Sequence, residues 1–68
     1  MKEDVKKIIE GHWNAFEKSI SMIELWHDAA QALGEAVYED SLLAVLNKLL
    51  SDGEIEESAP NYFRPKQK

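Results

Sequence analysis

Sixty-eight residues are enough for one small domain and no more. The chain has no cysteine, which excludes a disulfide framework, a thiolate zinc site and a thiol nucleophile. Net charge is −5 and unevenly placed. The first twenty residues balance, and Glu24, Asp28, Glu35, Glu39 and Asp40 face Lys48 alone in the middle. Beyond the balanced first twenty residues, basic groups cluster only at the tail end, in Arg64, Lys66 and Lys68.

A domain this short buries only about 60% of the surface its unfolded chain exposes. Two Trp, two Phe and two Tyr, with many Leu and Ile, supply the large side chains that such a core needs. The start, MKEDVKKIIEGH, has no continuous apolar stretch of the kind a secretory signal carries. No apolar run approaches the ~20 residues that span a bilayer. These features predict a soluble, cytoplasmic protein without a membrane partner.

The spacing predicts a first helix from about Glu3 to Lys18. Val5, Ile8, Ile9, His12, Trp13, Phe16 and Ile20 fall within one arc of roughly 140°. Gly11 lies inside this helix and costs ~1 kcal/mol relative to alanine, a sacrifice that close approach of another element would explain. Ser19-Ile20-Ser21 breaks the pattern, and Ile20 is placed to pair with a later ribbon as a brief first strand. Ser21 and Glu24 form the S-x-x-E capping box of a second helix, Met22 to Leu33, which Gly34 ends. Its apolar arc is Met22, Leu25, Trp26, Ala29, Ala30 and Leu33.

Glu35 to Asp40 connects to a third helix, with Glu39 and Asp40 suited to the positive end of its dipole and Ser41 as its cap. Leu42, Leu43, Val45, Leu46, Leu49 and Leu50 make an arc of about 160°. Ala44, Asn47, Lys48 and Ser51 face outward, and Asp52-Gly53 closes the helix. Glu54 to Ser58 reads as a short strand, Ala59-Pro60-Asn61 as a turn, and Tyr62-Phe63 as a returning strand that Pro65 stops. Tyr62 and Phe63 point to opposite faces, so one packs inward and the other is a candidate contact residue. Lys66-Gln67-Lys68 is expected to be a disordered tail.

The order of these elements carries a resemblance. Leu33-Gly34 opens the pattern; Leu42, Leu46 and Leu49 precede Gly53 by eleven, seven and four residues, and Ile55 follows by two. Over Met22 to Arg64 the chain resembles the winged helix-turn-helix superfamily, with a turn between the second and third helices a little longer than in compact transcription factors. The GEI strand start and the NYFRP return are similar to winged helices appended to replication and transcription proteins. The resemblance implies a mainly α fold with a small β-hairpin (α+β), a three-helix winged helix-turn-helix, over residues 1–65. The alternative is a plain three-helix bundle with a disordered tail.

No catalytic constellation can be assembled. His12 lies on the apolar arc of the first helix and His27 on the outer face of the second, where a partly buried and a solvated histidine are the plain readings. Glu24-Leu25-Trp26-His27 matches E-x-x-H, but di-iron bundles need two copies and further glutamates, and this chain has one. The serines are accounted for by caps and turns. The three glycines, at 11, 34 and 53, make no phosphate loop. No enzyme activity, metal or cofactor is expected.

Two functions remain. The winged-helix resemblance implies either a docking module, since fold does not fix function, or a DNA reader. The first is favoured: an adaptor or regulator in transcription or replication that contacts proteins through Ala44, Asn47, Lys48 and Ser51, with a homodimer compatible. The second is a transcriptional regulator meeting phosphates with Lys48, Arg64, Lys66 and Lys68. It is disfavoured because Glu39 and Asp40 at the helix entering the groove repel phosphates.

Overall fold

The computed structural model describes residues 1–66. Three helices, α1 (Lys2–Phe16), α2 (Met22–Leu33) and α3 (Glu39–Ser51), pack against a sheet of β1 (Ile20–Ser21), β2 (Ile55–Ala59) and β3 (Tyr62–Pro65). All neighbours are antiparallel, in the order β1-β3-β2. The fold is mainly α with a small hairpin, and the paired ribbon over Ile55–Pro65 is what a plain bundle lacks.

Local chemistry sets the ends of each helix. Helix α1 stops at Phe16 and not at Lys18, because Glu17 takes a left-handed conformation (φ 54°) and returns its N–H to the Trp13 carbonyl. Helix α2 has the expected bounds. The Ser21 hydroxyl accepts the Glu24 N–H at 3.2 Å. The Glu24 carboxylate does not complete a reciprocal box; it lies 3.9 Å from His12 Nδ1. At its far end the amides of Gly34 and Glu35 return to the carbonyls of Gln31 and Ala30. Gly53 and Glu54 close α3 in the same way, on Leu50 and Leu49. Both are Schellman stops, and both glycines hold the positive φ (69° and 73°) that such stops require. Helix α3 begins two residues before Ser41, at Glu39; Tyr38 precedes it without a side-chain cap, so Ser41 is not the cap.

The core forms where the apolar arcs meet. Val5 and Ile9 of α1, Leu25 and Ala29 of α2, and Leu42, Leu46 and Leu49 of α3 are buried with Ile20, Ile55 and Phe63 of the sheet. Val37, in the connection before α3, joins them. Ile20 pairs with Phe63 and so brings β1 onto the ribbon. The hairpin is braced at two points: the Met22 N–H at the start of α2 donates to the Asn61 carbonyl at 2.8 Å, and the hydroxyl of Ser19, just before β1, shares a hydrogen bond with that of Ser58.

Further expectations need correction. Phe16 is not core but 62% exposed, and Leu43 is 40% exposed. Gly11 admits no close neighbour: a Cβ there would meet nothing within 4 Å. Pro65 does not stop the pairing, since it stands opposite Ile55. At that point β1 has ended and β3 has a neighbour on one side only, so a missing donor is tolerated. Lys66 continues the contact through its N–H to the Glu54 carbonyl, while Gln67 and Lys68 lie outside the described residues.

Candidate functional site

Of the large side chains left outside the core, Met1 and Tyr38 line a separate groove with Leu33 and Glu35, while Phe16, Ile23, Leu43 and Tyr62 gather at one end of the molecule. There α1 finishes, β1 passes, α2 and α3 begin, and the hairpin turns. Phe16 is the last helical residue before the chain reverses at Glu17. Ile23, in the first turn of α2, points away from buried Leu25 and is 81% exposed. Tyr62 must face out because its neighbour Phe63 fills the core, and successive strand residues alternate.

Two adjoining grooves result. His12, Phe16, Glu24 and Tyr62 line one. Ile23, Trp26, Glu39, Leu43, Pro60 and Tyr62 line the other. Tyr62 and Ser21 belong to both, so the grooves form one surface with Tyr62 at its middle. His12 makes part of the wall, its ring 5.0 Å from that of Phe16. His27 is exposed, as expected of a solvated histidine.

Charge is sorted between the two ends. Where α1 starts and α3 stops, Lys2 bridges Asp52 (3.1 Å) and Glu54 (3.3 Å). Lys6 joins Glu54 at 2.7 Å, and Lys48 joins Asp52 at 3.2 Å. Hydrogen bonds from Lys2 and Lys48 hold the Asp52 carboxyl below its ordinary value, and those from Lys6 and Lys2 do the same for Glu54. The bond to Asp52 raises Lys2, and the bond to Glu54 raises Lys6. The groove end has no such lysine network. Glu24 and Glu39 stand on its walls, Asp40 beside Glu39, and Glu57 at the hairpin turn, where it accepts the Asn61 N–H. Lys18 is the cation on the groove walls among the described residues.

Ala44, Asn47, Lys48 and Ser51 are all exposed on the outer side of α3. That face offers small side chains and one lysine already paired with Asp52. The phosphate candidates are not gathered. Arg64 is not at the ribbon tip; it donates to Glu56 at 2.7 Å and lies 5.8 Å over the Trp13 ring. Lys66 is exposed beyond β3, and Lys68 lies outside the described residues.

Among the described residues no polar side chain is buried, and no group of three or more His, Asp or Glu is placed to hold a metal. No described helix is long and apolar enough to cross a membrane. Sequence reasoning missed Ile23 and Tyr38, and it assigned Phe16 and Leu43 to the core. Ile23 carried only a faint signal, since it lies about 20° beyond Ala30 at the edge of the α2 arc.

No protein-family model matches the chain, and no match was found among curated proteins or solved structures.

Proposed function

We propose that this chain is a small, non-enzymatic winged-helix binding module, an adaptor or regulator that works in the cytoplasm by docking other proteins. The supporting architecture is the order α1-β1-α2-α3-β2-β3 with a sheet ordered β1-β3-β2, in which a third helix runs into a hairpin. A role in transcription or replication rests on the resemblance alone.

One observation carries the docking reading. Phe16, Ile23, Leu43 and Tyr62 share one continuous exposed surface. Contiguous apolar surface of this kind marks interaction sites, whereas scattered apolar residues do not. The docking face is therefore moved from the outer side of α3 to the end where α2 and α3 begin. DNA reading is less well supported, because two of its four phosphate candidates, Lys48 and Arg64, are already engaged in ion pairs and counterion release needs free cations.

The test is a photo-crosslinker placed at Ile23 or at Asn47, run beside a duplex titration at several salt concentrations. Docking predicts a discrete protein adduct from Ile23 and none from Asn47, with no duplex binding. Duplex affinity that falls steeply with salt and is lost in K48E or R64E would overturn it.

A further inference from the structure

The groove end combines two features. It carries four of the exposed large apolar side chains, Phe16, Ile23, Leu43 and Tyr62, and it carries carboxylates without lysine partners. Glu24 and Glu39 stand on the walls of the two grooves that meet at Tyr62, and Asp40 adjoins Glu39. Four of the cations, Lys2, Lys6, Lys48 and Arg64, are held by Asp52, Glu54 and Glu56, away from these grooves. The local field at the apolar surface is therefore negative, with Lys18 as its one offset on the walls among the described residues.

From this charge complementarity we infer that the surface centred on Tyr62 takes a segment of another protein that carries large apolar side chains flanked by lysine or arginine. The inference rests on the docking reading and names the partner's chemistry. Apolar anchors seat between Ile23, Leu43 and Tyr62, where removal of water supplies the affinity. Flanking cations meet Glu24 and Glu39 on the rim, where exposed pairs add selectivity and speed of encounter more than affinity.

Other occupants fit less well. A second copy joined through a twofold axis presents the same patch twice and sets acidic rims against one another. Anionic lipid and duplex DNA are repelled by the same carboxylates.

The probe is a synthetic helical peptide of about 16 residues, with leucines at i, i+4 and i+7 and lysines on both flanks. Matched peptides replace the lysines by glutamate or the leucines by serine. Titrated into the 15N-labelled chain, the lysine peptide is expected to shift the amides of Ile23, Leu43 and Tyr62, and both matched peptides to bind at least about tenfold more weakly. Ile23→Ser abolishes binding while the melting curve is kept, because that side chain is 81% exposed. The double variant E24Q/E39Q weakens the lysine peptide by roughly fivefold and flattens its salt dependence.

Several results overturn the inference: equal binding of the glutamate peptide, shifts confined to the outer side of α3, or no binding of any peptide. Sedimentation showing that the free chain dimerises through Ile23 would assign the surface to a second copy and overturn it too. In each of these cases a protein adduct from Ile23 leaves the broader docking reading standing. Salt-sensitive duplex binding would remove both.

Discussion

The indole Nε1 of Trp26 donates a 2.6 Å hydrogen bond to the carbonyl oxygen of Val37, eleven residues further along the chain. This contact ties the connection between α2 and α3 to the body of α2 and seats Val37 in the core. Tyr38, the residue from which α3 starts, follows directly. Trp26→Phe keeps most of the apolar contact and removes the donor. The expected cost is ~1 kcal/mol in urea unfolding. Amide hydrogen exchange should quicken over Ala36 to Tyr38 and stay unchanged in α1. Unaltered exchange there would show that the bond does not hold the connection.

Leu43 and Leu46 are three residues apart on α3, yet they should respond very differently to truncation. Leu46 is 1% exposed and Leu43 40%. Leu46→Ala should cost ~2–5 kcal/mol, which is enough to unfold much of a domain of this size. Leu43→Ala should cost under about 1 kcal/mol in the same denaturant series. Equal losses would mean that Leu43 is covered in the native state, as the helical arc alone implies.

That contrast shows what was legible in the sequence. Periodicity located three helices, and the glycine stops fixed α2 and the end of α3, because Schellman geometry depends on a few adjacent residues. Ile20 on the ribbon and the opposed faces of Tyr62 and Phe63 also followed from local rules. Periodicity gives the direction of a side chain and says nothing of whether anything lies in that direction. Phe16 points along the apolar arc of α1 but sits in a last turn that runs past its neighbours. Arg64 looked free because its partners, Glu56 across the hairpin and Trp13 on α1, are brought to it by the fold. The exposed face was illegible for the same reason: it is assembled from four elements distant in sequence.

Opposite changes at Gly11 within α1 and at Glu17, which caps its end, should each stabilise the protein. Gly11 lies within the helix, exposed, with open space where a Cβ would go. Gly11→Ala should add ~0.5–1 kcal/mol. Glu17 ends the helix at φ 54°, a conformation that costs a side-chain-bearing residue ~1–2 kcal/mol. Glu17→Gly removes that strain, less the extra freedom glycine has when unfolded, and should add about 0.5–1 kcal/mol. Thermal melts of the two variants and their combination would show additive gains if the helix is bounded as described.

The network of Lys2, Lys6, Asp52 and Glu54 makes stability depend on pH in two windows. Asp52 and Glu54 have folded values below their ordinary 3.8 and 4.5. Their contribution is complete above those values and is lost as pH falls through the lowered folded values. Lys2 and Lys6 are raised above 10.5, so their contribution is complete below that value and is lost as pH rises through the raised ones. The melting temperature should therefore drop at both acid and strongly alkaline pH. In D52N/E54Q both drops should shrink, most clearly at low salt, since the pairs are at the surface and screened. A profile identical to the parent would assign the pH response to other groups.

The bond from the Met22 N–H to the Asn61 carbonyl, with the Ser19–Ser58 contact beside it, has a consequence for how a partner is met. A hairpin tip is free to swing when only its own strands hold it. Here the tip is fastened to the first turn of α2, so Ile23, Pro60 and Tyr62 keep their spacing before anything arrives. A preorganised wall leaves the entropy of ordering to the incoming segment alone. Discrimination among partners then falls to how well each incoming segment fits a mould of fixed shape.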